Sequence, residues 1–150
     1  MKKLLILAGI CLAGFLMASC TKEDPQNVIK VNDKSYNIDH AMAMVSSSEV
    51  HIDFDINSTS THGFPRFSKS CVGKKVNLGT ASAPDYSIGV NGNPQLYTMV
   101  EGGKLLYNDF KSGYFLLKEM KEGYHFTLDG VLESGEKVYI DLYAKIEEYL

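Results

Sequence analysis

The chain has 150 residues and a formal net charge of −3, with 18 acidic side chains against 15 basic ones. That balance excludes the basic footprint on which nucleic-acid binding rests. The length suits one domain with its own core.

Lys2 and Lys3 open the chain, and Leu4 to Met17 is apolar with small glycines interspersed. Ala18 and Ser19 lead to Cys20. A charged start, a short apolar middle and small residues before the cut describe a secretory signal. The apolar run falls short of the roughly 20 residues a membrane-spanning helix needs. Met17-Ala18-Ser19-Cys20 resembles the lipobox of bacterial lipoproteins, except that Leu16 stands one place earlier than that pattern's usual leucine. Lys22-Glu23-Asp24 resembles the Lys-then-acidic export tag of surface-exposed lipoproteins of the Bacteroidetes group. The resemblance implies cleavage before Cys20, lipid on its thiol and new amine, and an outer-membrane location facing the cell exterior. One acyl chain binds a bilayer only marginally, at ~0.8 kcal/mol per buried methylene, so two or three chains are needed for a lasting hold.

Three regions follow: residues 1–19 as signal peptide, 20–27 as a lipidated polar tether, and 28–150 as a single β domain. Processing removes two lysines and no acid, which moves the net charge to −5. Cys11 leaves with the signal and Cys20 is committed to lipid, so Cys71 alone cannot build an internal disulfide framework. A buried, small apolar role is expected for Cys71.

Val28 to Val31, the Asn32-Asp33 turn and Ser35 to Ile38 read as a hairpin. Ala41 to Val45 fits a strand or a helical turn, and the loop Ser46-Ser47-Ser48 before another strand favours strand. Val50, Ile52, Phe54 and Ile56 alternate with His51, Asp53 and Asp55, the pattern of a sheet with one dry and one wet face. Residues 57 to 71 read as a long polar loop. Val72 to Leu78 and Tyr86 to Val90 read as strands, separated by a Pro-containing turn over 81–85. Asn91-Gly92 and Asn93-Pro94 signal a turn, and Glu101-Gly102-Gly103 a hairpin between 95–100 and 104–107. Three long strands close the chain, over 114–120, 124–132 and 137–146. Val138, Ile140, Leu142, Ala144 and Ile146 share one face of the last, with Asp129-Gly130 read as a bulge in the strand before it. The expected fold is all-β: an antiparallel β-sandwich or partly closed β-barrel of about 8–10 strands.

Chemistry is sparse. No nucleophile elbow, zinc-protease motif, phosphate loop or dinucleotide fingerprint occurs, so no catalytic residue and no cofactor is assigned. His51, Asp53 and Asp55 share a wet strand face and form a metal-ligand candidate, but positions two apart stand ~6.6 Å from one another, so other strands must complete such a site. His40, His62 and His125 read as isolated surface or turn histidines. Phe64, Arg66 and Phe67 in the long loop, and Tyr139 and Tyr143 on the last strand, are candidate partner-binding anchors, because aromatic and Arg side chains dominate binding energetics. The expected function is a non-enzymatic, lipid-anchored binding module for a glycan, a peptide or an envelope protein. Its rivals are a lipocalin-like barrel around a small apolar ligand and an envelope hydrolase with a dispersed carboxylate site.

Overall fold

The computed structural model describes residues 24–79, 86–91, 100–101, 104–105 and 110–147. The signal segment, Cys20, the export-like tag through Glu23, and the turns over 81–85 and 92–94 lie outside them, as do most residues of the 95–107 hairpin. In chain order the strands are β1 (Val28–Val31), β2 (Lys34–Asn37), β3 (His40–Val45), β4 (Glu49–Ile56), β5 (Thr61–Gly63), β6 (Arg66–Ser68) and β7 (Lys75–Asn77). They continue with β8 (Tyr86–Ser87), β9 (Val90–Asn91), β10 (Val100–Glu101), β11 (Lys104–Leu105), β12 (Phe110–Met120), β13 (Gly123–Leu132) and β14 (Lys137–Ile146). The fold is all-β, and its principal sheet curls into a half-barrel. No α-helix occurs among the described residues.

Among the described residues that sheet has twelve strands, along the path β7-β12-β13-β14-β3-β4-β5-β9, with β1–β2 and β6–β8 joined at its side; β10 and β11 form a separate pair. Neighbouring strands run antiparallel except where β14 meets β3, at Lys145↔Met42 and Ile146↔Ala43. One edge of β14 is therefore divided. Its first half, Val138 to Asp141, pairs with β1, and its end pairs with β3. Two asparagines fix this junction. Both adopt φ of 52°, a left-handed conformation that asparagine tolerates better than most residues. The Asn27 side chain accepts a hydrogen bond from the Tyr143 amide at 2.8 Å, and the Asn32 side chain accepts one from the Lys137 amide at 2.9 Å.

The alternating rows supply the core. Val50, Ile52, Phe54 and Ile56 are fully buried, as are Phe126, Leu128 and Leu132 on β13 and Leu142 and Ala144 on β14. The curl brings β6 across from β12 and β13. The Phe67 ring packs 5.1 Å from Phe115 and 4.9 Å from Phe126, centroid to centroid. Burying one such side chain contributes about 1.5–3 kcal/mol, so this cross-core contact helps hold the curl of the half-barrel.

Three expectations are corrected. Residues 57–71 are not an open loop: they contain β5 and β6, each three residues long, and two 3-10 turns over Asn57–Thr59 and Lys69–Cys71. Such short strands raise the number of strands above the eight to ten expected, and they lie too close to Gly63 and Pro65 to show a period. The region read as a strand over 72–78 keeps only β7 as strand, with Leu78 buried beyond its end. The irregularity expected at Asp129-Gly130 sits instead on β12, where the register shifts between Phe110 and Ser112. Gly130 stays in line and makes room: a Cβ there would lie 2.8 Å from the Phe110 ring and 3.0 Å from Leu78.

Opposite Gly130, Gly113 has a φ of 126°, and a Cβ on it would stand 2.3 Å from the Asp129 carbonyl oxygen. Gly113→Ala combines backbone strain with a clash against backbone, and should cost about 3 kcal/mol. Gly135, with a φ of 96° and open space around it, isolates the strain; Gly135→Ala should cost about 1 kcal/mol. Urea midpoints of the two variants test the difference, and equal shifts would refute the clash.

Candidate functional site

The wet face of β4, with β5 and β6 beside it, gathers the richest chemistry outside the core. Alternation points His51, Asp53 and Asp55 away from the buried row. Register then brings two residues alongside: His62 opposite Asp55 and Arg66 opposite His51. His62 Nδ1 lies 2.9 Å from Asp55 Oδ1, and its Nε2 lies 4.0 Å from Asp53 Oδ1. His51 Nε2 approaches Asp53 Oδ1 to 3.0 Å, but out of line for a hydrogen bond, which leaves that nitrogen without a hydrogen-bond partner. The ring of Phe64 stacks on His62 at 5.8 Å and 26° and lies over Gly89, where a Cβ would be 2.2 Å from it. Arg66 is exposed.

His62 is thus no isolated histidine: strand pairing, invisible in the sequence, delivers it to two carboxylates. The face does not make a metal centre. Among the described residues no three His, Cys, Asp or Glu side chains converge on one ion. The spacing along β4 spreads the His51, Asp53 and Asp55 side chains, and His62 engages Asp55 instead. The aromatic ring, the imidazoles, the guanidinium and the carboxylates can stack on an apolar ring face and exchange hydrogen bonds around it. A shallow depression of about 250 Å³ lined by Met44, Val45, Ser46, Glu49 and His51 extends the face past His51.

Burial holds the His51 imidazole below its ordinary pKa of 6.5, and Arg66 pushes the same way against the pull of Asp53 and Glu49. The folded protein therefore takes this proton less readily than the unfolded chain. Its effect on stability is nil well above pH 6.5 and grows more unfavourable as pH falls through that value towards the lower folded pKa. His51→Gln should flatten the pH dependence of the urea midpoint on the acid side of neutrality. Parallel wild-type and variant curves would count against this.

The other candidates separate. Phe67 is 1% exposed and belongs to the core, so it is not a surface anchor; the inward row of β6 places it there. Tyr139 is drawn into the body: its hydroxyl donates to Asp141 Oδ2 at 3.2 Å, and Lys30 Nζ lies 5.2 Å from its ring centroid. Asp141 also meets His125 Nε2 at 2.8 Å, with only 7% of the residue exposed. His125 is therefore paired rather than isolated. Sequence alternation places Asp141 on a wet face; there it lies between β1 and β13, opposite Val28 and Thr127, with His125 and Tyr139 drawn onto its carboxylate. Tyr143 lines an open groove of about 440 Å³ with Pro25, Asn27, Met120, Lys121 and Glu122. His40 is exposed, 3.9 Å from Glu147. No protein-family model matches the chain, and neither a curated protein nor a solved structure shows detectable similarity to it.

Proposed function

We propose that this chain is a lipid-anchored, non-enzymatic binding module, held to the outer membrane through Cys20 and presenting the β4–β5–β6 face to a glycan, a peptide or an envelope protein outside the cell. The observation that carries the reading is the His62–Phe64 stack beside Arg66, His51 and two carboxylates, on paired strands backed by a packed core. A rigid frame lowers the ordering cost of binding, and aromatic and Arg side chains are the side chains from which binding energy is drawn. The lipobox-like segment ending at Cys20 motivates the anchor. The contact of Phe67 with Phe115 and Phe126 fills the concave side of the half-barrel, which weighs against an apolar lumen of the lipocalin kind.

Intact mass of native material should show a chain starting at Cys20 with acyl chains added, and an unprocessed start would sink the anchor. Protease added to whole cells should cut the domain if it faces outward. A glycan and peptide array probed with the mature protein, then with Phe64→Ala and Arg66→Ala, tests the face. Binding that both substitutions leave intact would place the site elsewhere.

A further inference from the structure

Beyond the β4–β5–β6 face, the groove under Tyr143 has its own chemistry. It lies where the tether joins the body. Pro25, the exposed Met120 and the aromatic side chain of Tyr143 all line it. Lys121 and Glu122 flank it with opposite charges. Two features fix this position. The Asn27 side chain holds the Tyr143 amide at 2.8 Å, and the Ile146 amide bonds the Glu122 carbonyl at 3.0 Å, which ties the β12–β13 turn to the end of β14.

We propose that this groove rests on the bilayer, with Tyr143 and Met120 at the boundary between headgroups and acyl chains and Lys121 extended towards the headgroups. The proposal rests on the reading of Cys20 as the lipidated residue. Pro25 stands five positions after Cys20, with four residues between them, and that length of chain reaches at most about 18 Å when fully extended. The end of the domain bearing Pro25 cannot leave the headgroup region by more. A surface tethered so closely meets the membrane at high effective concentration, so a weak apolar contact suffices. Tyrosine is favoured at this depth, and lysine extends its charge to water from an apolar stem. Because Lys121 and Glu122 offset each other, the contact draws on apolar burial rather than on anionic lipid and should survive high salt.

The chain contains no tryptophan, so one introduced indole is a clean reporter. Tyr143→Trp and Met120→Trp both report from the groove. Lys34→Trp reports from the far end: Lys34 pairs with Val31, which pairs with Val138, about 17 Å along β14 from Tyr143. Each lipidated, full-length mature protein is placed in phosphatidylcholine vesicles with and without brominated acyl chains, after intact mass has confirmed the acyl groups. The groove indoles should shift blue and lose intensity to bromine, at low and at high salt, while Trp at position 34 does neither. Equal quenching at both ends, or none at either, overturns the proposal. A blue shift without bromine quenching also overturns it, because protein rather than lipid then covers the groove. If the mass shows no acyl groups, the anchor reading fails first and the two failures remain distinct.

Discussion

Phe67→Ala should lower stability by about 3–5 kcal/mol, the loss expected for an aromatic side chain removed from a packed core, whereas Arg66→Ala, one residue away, should stay within about 0.5 kcal/mol. The contrast follows from β6 alone. Its three residues alternate exposed, buried and half-buried, so neighbouring side chains meet solvent and core in turn. Phe67 is also the piece that joins the β4 side of the half-barrel to β12 and β13, through Phe115 and Phe126. Its removal opens a cavity between two halves that touch across it, and relaxation there is limited because both flanking rows are buried. A loss of several kcal/mol is a large share of the 5–15 kcal/mol typical of a domain. Urea unfolding of both variants, followed by circular dichroism, reads the result. A mild Phe67→Ala would mean that the seam is not packed as described.

Asp141→Ala should cost about 3 kcal/mol, because it removes a nearly buried carboxylate from two donors at once. His125 Nε2 and the Tyr139 hydroxyl both converge on Asp141, at 2.8 and 3.2 Å. Asp141→Asn keeps the shape and one acceptor, and should cost about 1 kcal/mol. The double variant Asp141→Ala with His125→Ala should cost less than the sum of the single ones, because the pair is in direct contact. Additive losses in such a cycle would show that the two side chains act independently.

The strands with strict alternation were legible from sequence. β4, β13 and β14 have their apolar rows buried, because period two leaves only one way to put such a row inward. What was not legible depends on pairing. Phe67 read as a loop aromatic because β6 is too short to display a period. Gly130 read as a bulge, although the extra residue lies on the strand opposite, where nothing in the local sequence marks it. His62 and His125 read as solitary because their carboxylate partners stand 7 and 16 positions away along the chain. The pairing of His62 with Asp55 depends on the hairpin from β4 to β5, and that of His125 with Asp141 on the register of two long strands. Of the candidate surface, Arg66, Phe64 and the β4 row fall together, while Tyr139 and Tyr143 belong to separate neighbourhoods.

The shared edge of β14 also governs the order of assembly. β1 and β3, the earliest strands in the described chain and its third, both dock on the final one. A polypeptide emerging amino end first from a ribosome can pair β1 with β2 and β3 with β4, but the other edge of each stays open until β14 appears. Pairings such as Val28 with Asp141 span most of the described chain, and such contacts give a high contact order and folding on the scale of milliseconds to seconds. Completion of the half-barrel is thus deferred until β14 has emerged, and until then the divided edge stays open.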